Sequence, residues 1–367
     1  MTVIEAREAT PADNEALVEL SVACPMEGDI GLAVDRAPDF FALNRLEGPA
    51  WQVAVVDGPD GRPVGCIAIA ERAVHVNGEA RPGMYISDFK VHPAHRGGGA
   101  ADALILWARD ACVAAHGPGV LAFLTVLAGN KAMVRRMEGP QGLPVITRVA
   151  TFRSHTIPLL GRRRLRRPLV TVAPASPADL GEMGDLWARL APGRQFAAVH
   201  DAGSLEQWIA GAPGLTLSDH RVARRPDGSL AGYLGVWDQA AFKRLRVTGY
   251  SRRLGAVRAV FNALGPLAGA TKLPAPGGPL RNLTAVHLCV PPGEPDVLRA
   301  LVLDAYNASR GKGYSFLNVG LDVTDPLGAG LKGLLAQPTD VWVCVASLGG
   351  APPALDGRPS YHELALV

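Results

Sequence analysis

Tyr85-Ile86-Ser87-Asp88-Phe89-Lys90-Val91-His92-Pro93-Ala94-His95-Arg96-Gly97-Gly98-Gly99-Ala100-Ala101 is the stretch that decides the fold. Strand-type residues run as far as Val91. A glycine turn follows, and then apolar residues at helical spacing: Leu104, Ile105, Trp107, Ala108, Ala111 and Cys112. A strand, a tight turn and an amphipathic helix in that order leave a row of unpaired backbone N–H groups at the helix start, beside Arg96. Such a turn holds phosphate, because the amides and the helix dipole both favour an anion. Glycine permits the positive φ and the close backbone approach that this needs.

Working outward, three antiparallel strands are expected at residues 52–56, 64–73 and 84–91, with Asp57-Gly58 and Asp60-Gly61 as hairpin signals. A dinucleotide-binding fold explains this poorly. The glycine turn comes after several antiparallel strands and lacks G-x-G-x-x-G with a downstream acid. Beyond the helix, a strand at 120–126 and a short helix at 130–137 follow.

The second half repeats this order. Ala9-Thr10-Pro11-Ala12-Asp13 is matched by Ala175-Ser176-Pro177-Ala178-Asp179, each after a short strand (3–6 and 169–172) and before a helix. Thr10 and Ser176 suit an N-cap followed by proline at the first helical position. The strand 283–290, the helix 295–310, the strand 314–321 and the short helix 326–335 match 85–91, 100–115, 120–126 and 130–137. Asp227-Gly228 marks a hairpin between Val222 and Tyr233. A tandem α/β unit is the reading, and 367 residues suit two domains. The expected boundaries are 1–160, a basic linker at 161–168 (Gly161-Arg162-Arg163-Arg164-Leu165-Arg166-Arg167-Pro168), and 169–367.

A net charge of +3 and a basic run without interleaved aromatic residues argue against a nucleic-acid partner. Cys24, Cys66, Cys112, Cys289 and Cys344 have no metal-ligand spacing, so free thiols in a reducing compartment and no metal are expected. The N-terminus is charged and unlike a signal peptide. The longest apolar helical stretch, 254–268, falls short of the ~20 residues that span a bilayer. The expectation is a soluble cytoplasmic protein with no membrane partner.

Arg96-Gly97-Gly98-Gly99-Ala100-Ala101 fits Arg/Gln-x-x-Gly-x-Gly/Ala. After a strand ending Val91-His92-Pro93, it resembles the acyl-CoA signature of the GNAT superfamily of N-acetyltransferases. The resemblance implies two tandem acetyltransferase-like domains of the α/β (α+β) class, each a mixed, mainly antiparallel twisted sheet flanked by helices. It implies acetyl-CoA as cofactor, held by Phe89, Val91, Arg96, Gly97, Gly98, Gly99, Ala100 and Ala101. It also implies a motif strand that splays from its neighbour, with a backbone N–H near Val91 polarising the thioester. Asn130 would begin a helix beside the pantetheine arm, and equally serves as a plain N-cap. The family's tyrosine general acid is matched by Met137. A thiol of pKa ~8.5 leaves tolerably without it.

An ammonium acceptor must lose a proton before it attacks, so a carboxylate base is sought. Asp88, amid Tyr85, Ile86 and Phe89, is the first candidate, with burial expected to raise its pKa. Glu71 in the adjacent strand is the second. At the matching turn of the second half, Pro291-Pro292-Gly293-Glu294-Pro295-Asp296 places two carboxylates and a proline where phosphate would bind. That half is expected to lack the CoA site.

The expected reaction is direct acetyl transfer from acetyl-CoA to a primary amine on a small molecule or peptide. The alternatives are a non-catalytic acyl-CoA-binding or regulatory protein, and a protein lysine acetyltransferase. An open groove at Asp88 favours the last of these, and a pocket closed by the second half favours a small amine. Neither the acceptor nor the oligomeric state has a signature in the sequence.

Overall fold

The computed structural model describes residues 4–137, 142–164, 169–350 and 353–367. Residue 3 of the expected first strand and residues 165–168 of the basic run lie outside them.

Strands β1 (Arg7–Glu8), β3 (Trp51–Asp57), β4 (Pro63–Val76) and β5 (Glu79–Val91) form an antiparallel ladder, which β6 (Leu121–Leu127) joins in parallel to β5. The second half builds the same ladder from β8 (Thr171–Pro174), β9 (His220–Arg224), β10 (Leu230–Trp237) and β13 (Asn282–Cys289), with β14 (Phe316–Asp322) parallel to β13. Between them lie β7 (Val145–Pro158) and β15 (Gln337–Ser347). The order is β1-β3-β4-β5-β6-β15-β7-β14-β13-β10-β9-β8, a single 12-stranded sheet. The last strands are exchanged: β7 follows the first ladder in sequence and pairs with β14, while β15 pairs with β6. A second small sheet, β12 (Pro279–Leu280), β11 (Arg244–Tyr250) and β2 (Ile30–Asp35), also mixes the two halves.

The paired helix starts share one chemistry. Thr10 and Ser176 each exchange capping-box bonds with the aspartate three residues on, Asp13 and Asp179. The backbone N–H bonds to those carboxylates measure 2.7 and 2.8 Å. A 3₁₀ turn then leads into α1 (Asn14–Ala23) and α5 (Leu180–Leu190). The first strand begins later than expected, at Arg7, whose guanidinium ties Asp13 to Asp57. The expected helix at 326–335 is a shorter 3₁₀ segment, Pro326–Leu331, interrupted by glycines.

The remaining helices are α2 (Asn44–Glu47), α3 (Ala100–His116), α4 (Lys131–Met137), α6 (Ala202–Gly211), α7 (Arg252–Leu264) and α8 (Pro295–Ser309). α3 lays Leu104, Ala108 and Cys112 on Ile67, Ile69 and Met84. On the opposite face, Leu17, Leu20 and Phe40 cover Val53, Val55, Cys66 and Ala68. Both faces of β4 are thus buried, which explains its nearly unbroken apolar run. Cys66, Cys112, Cys289 and Cys344 are buried free thiols, and Cys24 is half-buried. Among the described residues no helix is long and apolar enough to cross a membrane, and no three His, Cys, Asp or Glu side chains could share a metal ion.

Two outcomes follow. Leu104 is fully buried, so Leu104→Ala should cost about 3 kcal/mol in chemical denaturation, the usual cost of a core truncation. Residues 1–160 expressed alone lose the β6–β15 and β7–β14 pairings. They should aggregate through those edges, and co-expression with 161–367 should yield a soluble complex with one cooperative transition. A monomeric 1–160 fragment with its own sharp transition would contradict the exchange.

Candidate active site

β5 and β6 pair only between Gly83–Ile86 and Leu121–Leu124. Beyond Ile86 they separate, while β6 stays paired with β15 as far as Leu127 and β5 continues along β4. At the opening β5 carries a bulge. Cys66 faces Lys90 and Ala68 faces Ser87, so Asp88 and Phe89 together stand opposite Ile67. Asp88 takes φ +49°, a left-handed conformation that a non-glycine residue rarely adopts.

Past Val91, a 3₁₀ turn (Pro93–His95) leads to Gly97 and Gly99 at φ +84° and +91°, and α3 begins at Ala100. No acceptor among the described residues takes the N–H groups of residues 96–101. No atom lies within 4 Å of where a Gly97 Cβ would stand. The turn is therefore an open row of donors at the N-terminus of a 17-residue helix. Arg96 is exposed and bonds the Val91 carbonyl at 3.3 Å. His92 uses its Nδ1 to accept from the Ala94 N–H, a loop contact.

Phe89, Val91 and residues 96–101 thus line one continuous edge. Asn130 caps α4, accepting the Met133 N–H at 3.1 Å, and Met137 packs on the α3 core. Arg136 pairs with Asp102 and ties α4 to the start of α3.

The two expected bases need correction. Asp88 is buried, with a side chain 8% exposed, but burial does not win. Arg36 at 3.1 Å and Lys90 at 2.5 Å, with Asn44 donating at 3.1 Å, hold its carboxyl far below the usual range. A carboxylate so stabilised is a poor proton acceptor. Glu71 shares the parity of Ile67 and Ile69 and so lies on the α3 face of β4. There it meets His116 at 3.2 Å and is 40% exposed.

The group with base character is Glu47, at the end of α2. It is buried, and burial raises its carboxyl; Arg72 opposes the shift and Asp88 adds to it. Its Oε2 accepts from Ser87 Oγ at 2.8 Å and Asn44 Nδ2 at 3.3 Å, while Oε1 has no partner among the described residues. Glu47 sits in a four-residue helix with no periodicity to betray it. Two further groups also escaped the sequence reading. Lys243, pushed down to about 7 by burial with Arg36 nearby, donates to the Ala365 and Val367 carbonyls. His362 bonds Tyr85 Oη at 3.2 Å, and Tyr85 in turn bonds Thr125 Oγ1 at 3.1 Å. The second half covers the site: Trp208 donates to the Leu46 carbonyl at 3.1 Å.

The second half repeats the bulge. Tyr233 faces Cys289 and Gly235 faces Val286, leaving His287, at φ +50°, and Leu288 opposite Leu234. β13 pairs with β14 only through Asn282–Thr284. Here, however, the bulge amides are occupied. Glu363 accepts from the His287 N–H at 3.0 Å and Tyr361 Oη from the Leu288 N–H at 3.1 Å. At the turn, Glu294 is paired with Arg225 at 2.5 Å, and Asp296 lies in the first turn of α8.

No curated protein matches the chain in sequence. Residues 15–141 match the family model described as acetyltransferase (GNAT) family. Among solved structures, Saccharomyces cerevisiae N-myristoyltransferase with bound myristoyl-CoA aligns over 98% of this chain and 89% of its own, at 14% identity and TM-score 0.65. A GCN5-related N-acetyltransferase from Sphaerobacter thermophilus aligns over 96% of both chains, at 18% identity and TM-score 0.57. One from Anabaena variabilis covers 95% of this chain and 73% of its own, at 13% identity and TM-score 0.55. At these identities the likeness is one of fold. Residues 15–141 are thus similar to the acetyltransferase (GNAT) family, and the chain as a whole has the tandem acetyltransferase-like fold of these structures.

Proposed function

We propose that the chain is an acetyl-CoA-dependent N-acetyltransferase that moves the acetyl group directly to a primary amine. The observation that carries this reading is a splayed, bulged slot continuous with an open anion-binding turn. When bound, acetyl-CoA supplies an activated acetyl thioester. The amides of 97–101 and Arg96 would take its pyrophosphate. The edge of β5 beyond Ile86, with Phe89 and Val91, would accompany the pantetheine, and Asn130 would face it from α4.

The bulge amides of Asp88 and Phe89 are the favoured donors to the thioester oxygen, beside the amide of Val91, which also faces away from β4 because the neighbouring His92 N–H is the one that donates to Val64. The support is internal: on the matching amides of the second half the chain places a carboxylate oxygen and a phenol oxygen. Donors aimed at developing negative charge are a large catalytic term. Glu47, raised and with Oε1 free, is the proposed base for the amine. Asp88 becomes an anchor that fixes Arg36, Asn44 and Lys90 around the bulge.

Coverage of the site by the second half favours a small amine or a narrow peptide terminus over a lysine on a folded protein. One observation favours a non-catalytic acyl-CoA-binding protein, namely Met137 at the place of the family's tyrosine. We further propose that the protein works in the cytoplasm.

The test is a CoA-release assay with acetyl-CoA and a long-chain acyl-CoA over a panel of amines. Turnover with acetyl-CoA is expected. Binding without turnover on any amine would identify a binder, and turnover confined to the long chain would overturn the acetyl assignment. Gly97→Val, strained at φ +84° and crowding the turn, should weaken CoA binding at least tenfold by calorimetry. Glu47→Gln should lower kcat by about 100-fold or more at little change in KM for acetyl-CoA. Because Glu47 works deprotonated and its carboxyl is raised, the wild-type rate should climb with pH through that raised value. Glu47→Gln should remove this acid limb, whereas Asp88→Asn, which takes away a negative charge that raises Glu47, should keep the limb but move it to lower pH.

A further inference from the structure

The second slot is filled by the chain itself, and the filling segment also touches the first site. Residues 360–363 run extended. Ser360 is pinned to Asp322 through its N–H at 3.0 Å and its hydroxyl at 2.5 Å. Tyr361 N–H donates to the Gln195 carbonyl at 2.8 Å. In an extended chain successive side chains point to opposite sides. Tyr361 and Glu363 enter the second slot, where the Tyr361 hydroxyl also donates to Glu363 at 2.6 Å. His362, between them, points the other way and reaches Tyr85 Oη in the first half.

We propose that residues 361–363 are an internal occupant of the second half's acyl slot, and that this occupancy makes His362 a positioning residue for the first. Glu363 stands on the His287 amide as the thioester oxygen would stand on the amide of Asp88. The slot that lost its phosphate turn has become a clamp. The clamp fixes the register of the strap, and the two-residue period then fixes where His362 emerges. His362 orients the Tyr85 hydroxyl toward Thr125, which is the first β6 residue beyond the pairing with β5 and so lies at the floor of the working slot. This rests on the acyltransferase reading only in its kinetic part.

The experiment uses the full-length chain and the variants Glu363→Ala, Glu363→Gln, His362→Ala, His362→Gln and the His362→Ala/Glu363→Ala double variant. Amide hydrogen exchange is read at His287, Leu288 and 360–366. Glu363→Ala should speed exchange at His287 at least tenfold, the scale of a lost hydrogen bond to a charged acceptor. Glu363→Gln, which keeps the shape and an acceptor, should lie between that variant and wild type and guards against simple misfolding. Unchanged protection at His287 in Glu363→Ala would overturn the occupancy.

In the CoA-release assay, His362→Ala and Glu363→Ala should each lower kcat by about tenfold with KM for acetyl-CoA unmoved. The double variant should fall no further than either single, because one residue acts through the other. His362→Gln should recover part of the rate. Additive losses, or an unchanged kcat, would overturn the positioning role. Failure of the wild type to bind CoA would sink the acyltransferase reading while leaving the exchange result to stand on its own.

Discussion

Everything about this site depends on how β5 is held open at its bulge. Asp88 adopts a left-handed backbone conformation that costs roughly 1–3 kcal/mol in a non-glycine residue. Its carboxylate offsets that cost by pairing with Arg36 and Lys90 in a poorly hydrated place. Removing one member of such a buried pair typically costs about 3–5 kcal/mol, because the partner is left charged and unpaired. The bulge aims two amides away from β4 and marks where β5 parts from β6. The slot, the turn and the position of Glu47 against Ser87 are all referred to that point.

The same backbone device occurs twice, with different contents. In the first half, Arg36, Asn44 and Lys90 brace the bulge through the Asp88 carboxylate. In the second half, His287 takes the matching conformation, and Glu363 and Tyr361 claim the amides. The turns diverge in parallel: Gly97 and Gly99 present free donors, whereas Glu294 is neutralised by Arg225 and Pro295 has no donor to give. Strand exchange through β7 and β15 joins the halves into one sheet, so the occupied slot can brace the open one.

The elements carried by repeating patterns were legible in the sequence. The glycine turn, the amphipathic face of α3, the paired Thr10/Ser176 starts and the loss of the second phosphate turn all depend on residues within a few positions of each other. The exchange of β7 and β15 was not legible, because both are apolar strands and pairing partners leave no local mark. The sequence marks Asp88 as a buried carboxylate, but its chemistry runs opposite to what burial alone implies. Its controlling charge, Arg36, lies 52 residues upstream, and only the fold brings it within 3.1 Å. Glu47 and His362 belong to a four-residue helix and an extended strap, which carry no periodicity at all. Their roles come from what they touch.

The most direct test of the account is an amide-resolved titration of the whole chain with acetyl-CoA. The account predicts saturation at one equivalent per chain, with perturbations at Asp88, Phe89 and Gly97 to Ala101, and none at His287 or Leu288. A second equivalent, or perturbation at His287 and Leu288 with none at Asp88 and Phe89, would contradict it.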